Sequence, residues 1–212
     1  MKINILLADD HIIILDALKS LISTLLPEVN VTRASDMDTV LVCLKQQEIQ
    51  LVICDINMPG ANHFGIVKMI KSIKPETKLL ILSAYSPALY AQRYLQEGAD
   101  AYLSKNADTS EIRNTIINLL QEASGIGSAR EKGLLADPHA VDTSPLKILS
   151  NRELEVAQLL IEGNGILEIA NLLQIHVNTV STYKARVFEK VNITSIPELV
   201  AIFRNYTSWG IG

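Results

Sequence analysis

The sequence predicts an α/β domain built on a five-stranded parallel sheet, followed by an all-α domain of four helices. Three observations carry this. Up to Gln121, strand-length apolar runs alternate with longer amphipathic segments. The alternation lapses between Ala123 and Lys147. Beyond that stretch only helical periodicity remains.

The strand runs are Ile3 to Ala8, Val29 to Ala34, Leu51 to Cys54, Leu79 to Leu82 and Ala101 to Leu103. Near-continuous apolar runs suit strands covered on both faces, as in a parallel sheet. The first helix is expected over 11–25, with Ile14, Leu18, Leu21, Ile22 and Leu25 at helical spacing. Asp36 can cap a second helix running to Leu44. Residues 64–73, 87–97 and 109–121 read as three more. Gly125, Gly127, Gly133, Pro138 and Pro145 punctuate the next stretch, which reads as a linker over 123–147. Ser150, with Glu153 three residues on, forms a capping-box signature for a helix to Ile161. Residues 166–173 and 177–190 follow as helices. Pro197 suits the first turn of a last helix, ending near Asn205. The expected domains are therefore 1–122, the linker 123–147, and 148–212.

Of 212 residues, 48% are hydrophobic and the net charge is −4. That balance excludes a disordered chain and a purely electrostatic nucleic-acid binder. Cys43 and Cys54 lie in apolar stretches without metal-ligand spacing and read as small buried hydrophobes. No run of 18 apolar residues occurs, so no membrane span is expected. The short N-terminal apolar run ends in two acids and does not suit a secretory leader. A cytoplasmic location is expected.

Ligands of open α/β sheets bind at the carboxyl ends of the strands. Five polar residues fall there: Asp9 and Asp10 after the first strand, Asp55 after the third, Ser83 after the fourth, Lys105 after the fifth. Converging carboxylates repel one another and call for a cation. Oxygen-only ligation suits Mg²⁺. A lysine and a hydroxyl opposite the acids can hold anionic oxygens. Together these groups describe a phosphoryl-transfer site with an aspartate nucleophile.

The motifs Asp9-Asp10-His11, Asp55-Ile56-Asn57-Met58-Pro59-Gly60, Ser83-Ala84 and Ala101-Tyr102-Leu103-Ser104-Lys105 make residues 1–121 resemble the receiver domain of bacterial response regulators. The resemblance implies that Asp55 is the phosphoacceptor, charged by a sensor histidine kinase. It implies that Asp10 and Asp55 ligate Mg²⁺, with Asp9 in support and the Asn57 carbonyl completing the set. Ser83 and Tyr102 match the family's switch pair, and Ala84 leaves the phosphoryl group accessible. His63 stands where the family usually has glycine, and is a candidate to tune access to Asp55. Asn106 follows Lys105 where many receivers have proline.

The strings Leu149-Ser150-Asn151-Arg152-Glu153-Leu154-Glu155-Val156, Glu168-Ile169-Ala170, Thr179-Val180-Ser181-Thr182-Tyr183-Lys184 and Lys190-Val191-Asn192-Ile193 resemble the LuxR-type helix-turn-helix module. With the receiver this implies the NarL/FixJ class, nearest the branch that holds the Bordetella virulence regulator. In 177–190, Val177, Val180, Val187 and Val191 suit an inner face. Asn178, Ser181 and Thr182 could reach base edges, with Thr179 beside them. Lys184 foremost, then Arg186 and Lys190, are candidates for phosphate or guanine.

Three departures weigh against strong DNA binding. Residues 148–212 carry five basic and six acidic side chains. Ile166 and Leu167 replace polar or basic residues; either packs inward or is exposed for a protein partner. His176 replaces a serine that opens the recognition helix. The expectation is a phosphorylation-gated transcription factor that binds promoter DNA as a dimer through the helix Ser195 to Arg204. The alternative is an interaction protein with little direct DNA binding. An aspartate-nucleophile phosphatase is not expected, because such enzymes carry a second aspartate where Asn57 stands; the chain is read as no enzyme.

Overall fold

The computed structural model describes residues 3–60, 65–125 and 144–206. The chain divides into two compact units, Met1–Pro138 and His139–Gly212. His63 and residues 126–143 lie outside the described residues.

Each strand forms on an apolar run: β1 Asn4–Ala8, β2 Asn30–Ala34, β3 Leu51–Cys54, β4 Lys78–Ser83 and β5 Ala101–Ser104. All pair in parallel, in the order β2-β1-β3-β4-β5. β3 is buried along its whole length, as its four apolar residues demand. β2 is an edge strand, and its polar Thr32 and Arg33 are only half-buried. Arg33 reaches out to Asp16 at 2.6 Å.

The helices of this unit are α1 Ile12–Leu25, α2 Met37–Gln46, α3 Gly65–Ile73, α4 Pro87–Glu97 and α5 Thr109–Ala123. Asp36 caps α2 by accepting from the Thr39 N–H at 2.7 Å. The buried face of α1 is centred on Leu15, Leu18 and Ile22. Ile14, Leu21 and Leu25, which helical spacing groups with Leu18 and Ile22, are half-buried flanks. Leu15 instead joins Ile5, Leu7, Ile53 and Ile116 in one core. The difference is a small rotation of the buried stripe, which a broad apolar face cannot fix by itself.

At the amino end of β4, Asp100 binds Lys71 at 2.7 Å, Lys78 at 3.1 Å and the Leu79 N–H at 2.9 Å. At the opposite end Gly60, at φ +76°, closes the loop after β3. An added Cβ there would also come within 3.4 Å of Met37 Cβ. Met37 N–H donates to Pro59 O at 3.0 Å, tying this loop to α2.

The second unit opens with a 3₁₀ turn, Pro145–Ile148, whose Leu146 is buried. The turn begins within the linker span expected from sequence, and α5 runs to Ala123 on its other side. Helices α6 Asn151–Ile161, α7 Ile166–Leu173, α8 Val177–Val191 and α9 Ile196–Tyr206 follow. Ser150 and Glu153 make the expected capping box on α6. Gln174, at φ +52°, turns the chain from α7 into α8. α8 packs on α6 and α7, and Val180, Val187 and Val191 are its buried line. Val177, assigned to that line from sequence, is 40% exposed. It is the first residue of α8, at the open end of that line.

Candidate functional site

The strand order reverses beside β1, between β2 and β3. Such a switch point opens a crevice at the carboxyl strand ends. β1 ends at Ala8, so Asp9 and Asp10 emerge there; β3 ends at Cys54, so Asp55 emerges beside them. Register pairs Ala8 with Cys54, and Asp55 N–H donates to Ala8 O at 2.8 Å. β5 delivers Lys105, whose N–H donates to Ser83 O at 2.7 Å. Lys105 Nζ then spans Asp9 Oδ2 at 2.7 Å and Asp55 Oδ2 at 2.9 Å. Asp55 Oδ1 accepts from Ile56 N–H at 2.7 Å.

Burial pushes the Asp55 carboxyl above the usual carboxylate range; Lys105 pulls against this and Asp9 adds to it. Burial also works against the Lys105 ammonium, but its bonds to Asp9 and Asp55 prevail and hold its pKa above the ordinary value. The two directions agree physically. One cation is shared between two buried carboxylates, so its single positive charge does not balance both. The remaining negative charge favours a further cation. Asp9, Asp10, His11 and Asp55 each offer a ligand atom, all within 4.8 Å of one another.

The structure thus gathers Asp9, Asp10, Asp55 and Lys105 as the sequence suggested. Asn57 lies two residues beyond Asp55 and is exposed. Ser83 is fully buried, and its Oγ accepts from Tyr85 N–H at 3.1 Å. Tyr102 is turned inward, and its hydroxyl donates to Tyr85 O at 3.0 Å. Its ring lies 5.6 Å from that of Tyr94, and Tyr85 stacks on Tyr90 at 5.0 Å. Sequence reasoning gave no role to Tyr85, Tyr90 or Tyr94; four tyrosines within 18 residues was the available signal. Nor did it assign His11, whose Nδ1 stands 2.7 Å from Asp10 Oδ1 and 3.1 Å from Asp9 Oδ1.

In the helical unit the outer side of α8 presents Asn178, Ser181, Thr182 and Arg186, all exposed. Thr179 is half-buried. Lys184 is half-buried, with Nζ 5.4 Å from the centre of the Phe188 ring. Lys190 Nζ binds Glu153 Oε2 at 2.7 Å and reaches Ile148 O at 3.4 Å. His176 starts α8 without a side-chain cap bond. Of the aliphatic pair on α7, Ile166 is half-buried and Leu167 is 63% exposed.

A parallel sheet of this order, with aspartates and a lysine at its switch point and a helix-turn-helix unit in the same chain, is the architecture of a two-domain response regulator. Residues 5–117 match the response regulator receiver domain, and residues 147–203 match the bacterial regulatory proteins of the luxR family. The chain belongs to the response regulators that carry a LuxR-type DNA-binding domain.

It is 32% identical to the fimbriae Z protein of Salmonella typhimurium over 93% of this chain and 94% of that protein. It is 28% identical to the virulence regulator BvgA of Bordetella pertussis, described as a putative positive transcription regulator, over 93% and 94%. RcsB of Salmonella enterica bound to promoter rprA has the same fold, with TM-score 0.72 and 21% identity over 95% of this chain and 98% of that one. The interaction-protein alternative is not favoured, because the helical unit matches the luxR family along most of its length. Among the described residues no helix is long and apolar enough to cross a membrane.

Proposed function

We propose that this chain is a phosphorylation-gated transcription factor of the cytoplasm, in which Asp55 accepts a phosphoryl group from a sensor histidine kinase and the helical unit binds promoter DNA as a dimer. The observation that carries the reading is Lys105 bridging Asp9 and Asp55 at the switch point. A carboxylate oxygen of Asp55 attacks phosphorus; the P–N bond of the phosphoimidazole breaks and a P–O bond forms, with imidazole leaving. Lys105 then turns from the carboxylates to the new phosphoryl oxygens. Ser83 Oγ donates to another; its present link to Tyr85 N–H, and the bond from the Tyr102 hydroxyl to Tyr85 O, support a coupled movement of the Tyr85 loop and the Tyr102 ring.

The donor set, hard carboxylate oxygens from Asp9, Asp10 and Asp55 within 4.8 Å of one another, fits Mg²⁺. Asp10 and Asp55 would hold it, with Asp9 in support and the Asn57 carbonyl completing the set. When bound it neutralises charge on the transferring phosphoryl group. Asn57 is no acid or base, so the acyl phosphate persists as a signal rather than turning over, which supports the reading as a regulator and not an enzyme. The receiver spans 1–122 and the DNA-binding domain 148–212, with 123–147 between them. α9 (Ile196–Tyr206) supplies the dimer contact. Among the DNA-facing candidates, Asn178, Ser181, Thr182 and Arg186 lead; Thr179 is half-buried, and Lys184 and Lys190 are engaged within the domain.

Incubation with a small acyl phosphate and Mg²⁺, followed by intact-mass measurement, tests the central claim. One added phosphoryl group is expected on the native chain and none on Asp55→Asn. An undiminished adduct on Asp55→Asn overturns the assignment.

A further inference from the structure

The outer face of α8 holds an unusual set of chemical groups for a helix that reads DNA. Ser181 Oγ donates to Val177 O at 3.1 Å, and Thr182 Oγ1 donates to Asn178 O at 2.9 Å. Both hydroxyl protons are therefore spent on the helix itself. What exposed Thr182 has left to offer is a methyl group and the lone pairs of its oxygen. Ala185, about one turn further and also exposed, offers only a methyl. Lys184 lies over Phe188, and Lys190 is held by Glu153. The centre of the face is thus one amide, Asn178, followed by two methyl groups, with exposed Glu189 a turn beyond them and Arg186 as the flanking long cation.

Guanine presents two acceptors in the major groove and is read by forked donors. Adenine matches an amide, and thymine presents a C5-methyl that favours apolar contact. We infer that the recognition face of α8 selects A·T pairs, Asn178 pairing with adenine and the methyls of Thr182 and Ala185 packing on thymine C5-methyl groups. This rests on the proposed DNA-binding function and names the class of sequence that function acts on. The low positive charge of the domain sharpens it: with few phosphate contacts, base-edge contacts carry a larger share of affinity.

The test uses the full chain, phosphorylated by a small acyl phosphate with Mg²⁺, to select from a random duplex library. Enriched duplexes are then remade with deoxyuridine at single thymines, which removes the methyl and nothing else. Adenine and thymine are expected at the adjacent central positions of each half-site. One or two uracil substitutions per half-site should weaken binding about fourfold, the factor associated with burying one methyl group. In Thr182→Ser, which keeps the hydroxyl and removes the methyl, the uracil effect should vanish at one of those positions. Asn178→Ala should lose the adenine preference on reselection.

Half-sites with central guanine, or uracil without effect, overturn the inference while leaving DNA binding intact. A uracil effect unchanged in both Thr182→Ser and Ala185→Ser assigns the methyl reading to other residues and likewise overturns it. Failure to enrich any duplex counts against the proposed function itself.

Discussion

Lys190 separates a reading of sequence from a reading of structure. On sequence it is a basic residue near the end of a recognition helix, suited to a phosphate. In the fold its ammonium lies 2.7 Å from Glu153 Oε2, the same oxygen that accepts from Ser150 N–H at 2.7 Å in the α6 capping box. The Glu153 side chain is 4% exposed and that of Lys190 is 40% exposed. Removing one partner of a fully buried pair costs about 3–5 kcal/mol. A pair open to water on one side is worth much less, about 0.2–1 kcal/mol when fully exposed. Lys190→Met, which keeps the apolar stem, should therefore destabilise the helical unit by about 1–2 kcal/mol, between those limits.

For a unit of this size that lowers its transition by about 5–10 °C, measurable by calorimetry on the full chain. Glu153→Gln combined with Lys190→Met should recover part of the loss, since no buried charge is then left alone. The effect should also fade in acid. Burial pushes the Glu153 carboxyl up, but Lys190 and Ser150 outweigh it and hold it below the usual carboxylate range. A depressed folded pKa gives stability that is present above about pH 4 and lost as pH falls through the folded value. The salt dependence of DNA binding should not change. A lost phosphate contact would instead lower the log–log slope by about 0.9. An unaltered thermal transition together with that change in slope would refute the structural role.

Three further outcomes follow from the receiver. Asp100→Asn should destabilise it at neutral pH, and the effect should fade progressively as pH falls from about 4 through the folded value: burial raises the Asp100 carboxyl, but Lys71, the Leu79 N–H and Lys78 together hold it low. Urea unfolding of both forms across pH checks this. Tyr102→Phe leaves the buried Tyr85 carbonyl without its 3.0 Å donor and should cost about 1–2 kcal/mol in urea unfolding, whereas equal stability would show that bond to be idle. Cys54 is fully buried, and burial, then Asp55 and Asp9, push its thiol far up, so a thiol-reactive dye should label it only on unfolding.

The sequence by itself determined the two architectures and the list of polar residues at the strand ends. Apolar runs of three to six residues separated by amphipathic segments leave little choice but a parallel sheet covered by helices. Once strands are placed, Asp9, Asp10, Asp55, Ser83 and Lys105 fall at their carboxyl ends by counting. The capping signals at Asp36 and Ser150 act over three residues and were legible for the same reason.

Only the tertiary structure decided which charged and polar groups are already engaged. Lys190 meets Glu153 across 37 residues, Lys105 meets Asp55 across 50, and Tyr102 meets Tyr85 across 17. It also settled the outward turn of Val177 and Leu167, because what covers a helix end depends on neighbours distant in the chain. Local periodicity indicates roughly which face a residue belongs to. Whether its polar atoms are free to bind something else is set by partners that only folding brings within hydrogen-bond range.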